Sequence, residues 1–246
     1  MRYFVEIGYD GSNYHGWQIQ KNALTIQQVI TENLRLLTKN NSLDIVGCGR
    51  TDSGVHAKQF FFHMTLPNQI DLLDLNHRLN NILPNDIVVK GIYETKENAH
   101  ARFDASERTY RYYINQKKEP FNLNYSWFVS KELDVNLMNT ACKYLCEYDD
   151  FTSFSKLHTD VKTNICQLKS AFWTRNGSNL VFEIKADRFL RNMVRSIVGT
   201  MLEIGLRKIH PEDIHQIIQS KNRSNAGTSV PAQGLFLESV KYPYEF

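Results

Sequence analysis

The chain predicts an α+β fold made of two similar α/β halves, and three features of its pattern carry that expectation. Period-two apolar alternation marks strands on both sides of Ala105. Amphipathic helical stretches separate those strands in each half. No low-complexity linker and no exact internal repeat interrupts the order. A length of 246 residues suffices for two such halves. We expect residues 1–105 to form an N-terminal half and residues 106–246 a C-terminal half.

The first half opens with Tyr3, Val5, Ile7 and Tyr9 alternating against Phe4, Glu6 and Gly8, which reads as a strand. Asp10-Gly11-Ser12-Asn13 follows as turn chemistry. Thr25 with Gln28 makes a capping box for a helix whose apolar stripe is Ile26, Val29, Ile30, Leu34 and Leu37. A strand ending at Cys48, another from Phe60 to Leu66, a helix marked by Leu72, Leu75, Leu79 and Ile82, and a strand over 87–93 complete that half.

In the second half, Tyr110, Tyr112 and Ile114 alternate in a strand, and residues 134–146 read as a helix. Strands over 165–174 and 179–186 are joined by the turn Asn176-Gly177. A helix is expected from about Arg188 to Glu203, closed by Gly205, with a short one starting at Pro211. Leu235 to Tyr242 supplies a last strand.

Composition narrows the class. With 42% hydrophobic and 22% charged residues the chain has the balance of an ordinary soluble globular protein, and no apolar run is long enough to span a bilayer. Net charge is +3, yet residues 1–105 hold ten Lys/Arg against eleven Asp/Glu while the remainder holds nineteen against fifteen. The basic second half favours a polyanionic partner without requiring it, and on charge alone a solvated surface is the better reading. Cysteines at 48, 142, 146 and 166 form no C-x-x-C pair, which suggests reduced, mostly buried thiols in a cytosolic protein. Neither they nor the eight histidines show metal-ligand spacing.

The densest chemistry lies in Gly49-Arg50-Thr51-Asp52-Ser53-Gly54-Val55-His56-Ala57, where two glycines bracket one arginine, two hydroxyls and one carboxylate. Glycine belongs where a backbone turns sharply or approaches a neighbour closely. Asp52 is thus presented at a strand end, as a nucleophile or base would be; as an isolated Asp it would more often be a turn former. Arg188, Arg191 and Arg195 fall at i, i+3 and i+7 of the expected helix, beside Leu190, Val194, Ile197 and Met201. A partly buried arginine there needs a carboxylate, and Arg195 is the first choice to pair with Asp52. The run Arg108-Thr109-Tyr110-Arg111-Tyr112 would offer cationic groups on one strand face and aromatic platforms on the other, the usual means of holding splayed RNA bases. Half-buried structural tyrosines explain it about as well.

Together these segments resemble the TruA family of tRNA pseudouridine synthases. The resemblance rests on Asp10-Gly11 through Tyr14, Gly16, Trp17 and Gln18, on the Asp52 loop, and on His100-Ala101-Arg102-Phe103-Asp104-Ala105 leading to Tyr110-Arg111-Tyr112. Asp150 to Phe154, Phe189 to Arg195 and Pro231-Ala232-Gln233-Gly234-Leu235 extend it over nearly the whole chain. Ser53 stands where the family commonly has alanine. The resemblance implies a mixed, mostly antiparallel central sheet flanked by helices and shared by the halves. It implies Asp52 as nucleophile, Arg50 beside the flipped nucleotide, Arg195 as the ion-pair partner of Asp52, and Tyr110 stacking on the target base, with Arg191 and Leu235 as further substrate-binding residues. It also implies isomerisation of uridines 38 to 40 in the tRNA anticodon stem-loop by a cytoplasmic homodimer that uses no metal and no cofactor. Whether the carboxylate would attack the sugar, attack the base or remove a sugar proton stays open.

Two other classes compete. A non-catalytic RNA-binding module would use the Tyr110 strand and the basic helix, but leaves an acidic group in an RNA cleft unexplained. A metal-dependent nuclease would need several clustered carboxylates, and the central loop has one.

Overall fold

A computed structural model describes residues 1–67, 70–156 and 163–245. Among the described residues, nine strands and five α-helices give an α+β chain with mixed, mostly antiparallel strand pairing. Contacts divide it into two compact units, Met1–Ser106 with Leu237–Phe246, and Glu107–Phe236. The C-terminal segment therefore lies with the first unit, whereas a simple cut after Ala105 assigns it to the second. Aromatic packing accounts for this: Tyr242 sits edge-on to Phe4 and Phe61 at 5.2 and 5.3 Å, and its hydroxyl donates to the Ala101 carbonyl.

The first unit is built on β1 (Arg2–Tyr9), with antiparallel neighbours β3 (His56–Thr65) and β4 (Ile87–Thr95). Short β2 (Ile45–Gly47) pairs with the far end of β3. Register places Val5 opposite Phe62 and Ile7 opposite Phe60, so these four share a face. Trp17 packs on it, 4.2 Å from the Phe60 ring. Phe4, Phe61 and His63 occupy the other face, which Tyr242 and Tyr244 line. Both faces of β1 are thus buried, and its outward-facing alternation is weaker than the sequence suggests. Helix α1 (Ile26–Thr38) begins at Thr25, whose hydroxyl accepts the Gln28 N–H at 3.3 Å. Half of the capping box forms; the Gln28 amide turns to Glu32 instead of back to Thr25. Helix α2 (Leu72–Ile82) is capped by Asp71, which accepts two backbone N–H groups.

The second unit is built on β5 (Glu107–Asn115), β8 (Asn179–Ala186) and β7 (Leu168–Asn176), antiparallel in that order, with β6 (Trp127–Phe128) parallel to β5. Tyr112, Phe182 and Trp173 align across the three strands. Helix α3 (Val135–Leu145) is tied to β7 by Asn139, whose amide brackets the Trp173 backbone at 3.0 and 2.7 Å. Helix α5 is Asp213–Gln219, two residues later than a start at Pro211. The last strand, β9, is Leu235–Lys241.

One helix departs from expectation. Helix α4 spans Met193–Gly205, because Asn192 takes a left-handed conformation (φ 66°) and ends the preceding loop. Arg188 and Arg191 lie in that loop, so the three arginines form no helical stripe. The side chain of Arg188 donates to the Thr163 carbonyl at 3.2 Å. Three cysteines are buried as expected, but Cys146 is exposed.

Candidate active site

Loop 48–55 is held by the opening loop 10–18, and the holding contacts explain the glycines. Gly11 lies against the Val55 carbonyl and Gly16 against the Thr51 carbonyl with no room for a β-carbon. Gly16 and Gly54 have φ of 83° and 75°, a region that other residues enter at a cost. Gly49, by contrast, has open space where a side chain would be. The Trp17 N–H donates to the Thr51 carbonyl at 3.3 Å, and the Gly54 N–H to the Tyr14 carbonyl at 3.2 Å. The hydroxyls of Tyr9 and Thr51 meet, buried, at 2.9 Å. Asp52 therefore sits between two residues whose backbones are fixed from outside the loop. It is half-buried, and its own carbonyl accepts the Val55 N–H at 3.2 Å.

His56, fully buried at the start of β3, closes the arrangement. Its Nδ1 lies 3.1 Å from the Gly11 N–H and 2.9 Å from Asp10 Oδ1. The first contact needs a lone pair on Nδ1 and the second a proton, so a single tautomer satisfies one of them. Asp10 meanwhile accepts from Ser12 N–H and Oγ as an Asx turn, and Asp86 accepts from the Tyr14 hydroxyl at 2.6 Å. Burial, followed by the Asp86 hydrogen bond and charge, raises the Tyr14 pKa far above that of a free phenol, so it stays a donor.

Beside the loop a cleft of about 180 Å³ is lined by Trp17, Gln18, Gln27, Gly49, Arg50 and Arg102 among others. Arg50 is exposed, and Asp52 is not part of the cleft lining.

The remaining sequence-predicted residues belong to the second unit. Tyr110 is half-buried on β5, with its ring edge-to-face on Phe189 at 5.1 Å and 88°. All of α4 is buried except Arg195 and Glu203, so Arg195 is the one cation that this apolar helix carries. Its Nε donates to the Val230 carbonyl at 2.7 Å, which orients the guanidinium. Leu235 is buried at the start of β9, and Arg191 is exposed in the loop before α4. Gly234 comes so close to Tyr112 that a β-carbon would press on its ring, and the Tyr112 hydroxyl donates to the Pro231 carbonyl at 2.9 Å.

The neighbouring arginines have partners within the unit. Arg111 holds Glu183 through two nitrogens at 2.7 Å, and Arg108 donates to the Asp187 carbonyl at 2.6 Å. Burial pushes the Glu183 pKa up, but the hydrogen bonds and charges of Lys185 and Arg111 outweigh it, and the net shift is downward. Charge on β5 is thus largely matched within the unit. Val230, whose carbonyl orients Arg195, escaped sequence reasoning; Phe189 was legible as part of a motif, but its edge contact with Tyr110 was not. Among the described residues no group of three or more His, Cys, Asp or Glu side chains gathers as a metal site, and no helix is long and apolar enough to cross a membrane.

A family model described as tRNA pseudouridine synthase matches residues 141–243. The chain is 51% identical over 245 residues to the protein named tRNA pseudouridine synthase A of Parabacteroides distasonis, covering 99% of this chain and 97% of that one. It is 48% identical over 246 residues to the protein of the same name from Bacteroides fragilis, covering 99% and 97%, and 46% over 246 residues to that of Porphyromonas gingivalis, covering 98% and 97%.

Proposed function

The chain belongs to the tRNA pseudouridine synthase family, and from that membership we propose that it isomerises uridines 38, 39 and 40 of the tRNA anticodon stem-loop, with Asp52 as nucleophile. It is an isomerase that converts uridine to pseudouridine in tRNA. The single observation that carries the role of Asp52 is its position: a half-buried carboxylate at a strand end, in a loop that Gly11, Gly16, Tyr9 and Trp17 hold from outside.

The chemistry makes definite demands. The glycosidic bond of a stacked uridine is out of reach, so the nucleotide must leave the helix. The N1–C1′ bond breaks, the uracil turns while still enclosed, and a C5–C1′ bond forms; the C5 proton departs and N1 gains one. Nothing is oxidised, reduced or hydrolysed, so the reaction balances without a cofactor. In this reading Asp52 assists bond cleavage and Arg195, oriented by the Val230 carbonyl, is its ion-pair partner. Arg50 inserts beside the extruded nucleotide, and Tyr110 stacks on its base. Arg191 and Leu235 complete the substrate contacts, one by charge and one by an apolar wall. The working form is a cytoplasmic homodimer that holds tRNA across both subunits.

The test is to incubate the protein with unmodified tRNA and map carbodiimide-dependent reverse-transcription stops. Stops confined to 38, 39 and 40 support the reading. Stops elsewhere, with those three positions unchanged, refute the assignment of sites.

A further inference from the structure

Loop 99–105 of the first unit presents an exposed aromatic on a frame that is unusually well fixed. Ala99, Ala101 and Ala105 are buried, while Phe103 is 75% exposed. The Ala101 N–H donates to Nδ1 of His63 at 3.0 Å. Asp104 accepts the His100 N–H at 2.8 Å and the Tyr244 hydroxyl at 3.0 Å. Nδ1 of His100 accepts from the backbone N–H of both Arg102 (3.1 Å) and Phe103 (3.2 Å), which sets the two tip residues directly. The His100 ring then stacks on Phe103 at 4.2 Å and 29°, and the Arg102 guanidinium stands 5.8 Å from the Phe103 centroid. Arg102 also lines the cleft that Arg50 lines.

An aromatic ring that packs on no core, backed by an imidazole and flanked by a guanidinium, has the make-up of a base-stacking platform. Two guanidiniums at the adjoining cleft suit a phosphate, although Asp44 in the same lining tempers the field. We propose that the Arg102–Phe103 corner receives one unpaired nucleotide of the RNA substrate. Phe103 takes the base, and Arg102 takes its phosphate, on the cleft wall that it shares with Arg50. His100 is a positioning residue that acts through the Arg102 and Phe103 backbones. Its pKa is lowered chiefly by burial, against the pull of Asp104, which keeps the Nδ1 lone pair available. The proposal rests on the tRNA-modifying reading above and deepens it by adding a second nucleotide subsite apart from the target base.

The experiment uses the full-length protein and anticodon stem-loop RNAs that each carry a single 2-aminopurine at one loop position. Wild-type protein and Phe103→Tyr should quench the probe at one particular position by several-fold, and Phe103→Ala should lose that quench while the other positions keep their response. Arg102→Ala should weaken binding and lower the slope of log affinity against log salt by about one. Thermal melts of the same variants should coincide with wild type, since the exposed ring adds little to the core. Identical quench profiles for wild type and Phe103→Ala would overturn the platform. Unchanged turnover of unmodified tRNA by an Asp52 variant would overturn the catalytic reading instead, so the two failures are distinguishable.

Discussion

Gly11 lies against the carbonyl of Val55 so closely that no β-carbon fits between them, and this contact joins the opening loop to the loop that carries Asp52. Gly11→Ala should therefore destabilise the protein by about 2 kcal/mol or more through overpacking and backbone shift, and lower turnover with it. Gly49→Ala is the matched control, because nothing stands within 4 Å of its added carbon. Chemical denaturation of both variants checks the contrast. Equal midpoints would show that the two loops do not depend on that contact.

Much of this arrangement is legible in the sequence and some is not, for physical reasons. Strands and helices with strong periodicity, such as β8 and α2, fall at their expected positions. Helix α4 begins later because one asparagine adopts a left-handed conformation, which a run of apolar residues does not disclose. The glycines around Asp52 are visible as composition, but only the fold shows that Gly11 and Gly16 need closeness, Gly54 needs its φ, and Gly49 needs neither. The alternation of arginine and tyrosine on β5 is visible in the sequence, but that Glu183 stands opposite Arg111 is seen only from the register.

His63 makes stability depend on pH. Burial, aided by Arg2 and His100, lowers its pKa from 6.5 to about 4, against the opposing pull of Asp104. The unfolded chain takes up this proton before the native one does, so the contribution is full above about pH 6.5. It fades as pH falls toward 4, and the total is on the order of 3 kcal/mol. His100, whose pKa is also lowered, adds in the same direction. His63→Gln, measured by urea unfolding at pH 7, 5.5 and 4.5, should flatten that decline. Parallel curves would show that another group is responsible.

Arg111→Ala should cost about 1 kcal/mol of stability, discounted for the partial exposure of its side chain, and leave the salt dependence of tRNA binding unchanged. The charge it removes is matched by Glu183. Arg50→Ala should instead lower the log–log salt slope by about one. Filter binding across a salt series decides it, and a reduced slope for Arg111→Ala would place that residue on phosphate.

Tyr110→Phe should retain base stacking and the edge contact with Phe189, and so keep most of the turnover. Tyr110→Ala should reduce kcat/KM about tenfold or more, since a base–aromatic stack is worth about 1–3 kcal/mol. Loss of the Phe189 contact also costs about 0.5–1.5 kcal/mol of stability, so melting is followed in parallel. A fully active, stable Ala variant would remove the stacking role.

The most direct measurement is single-turnover isomerisation by Asp52→Asn and Asp52→Ala, with tRNA affinity determined on the same preparations. No pseudouridine should form with either variant, while affinity stays within a few-fold of wild type. Pseudouridine formed by both at the wild-type rate would contradict the account.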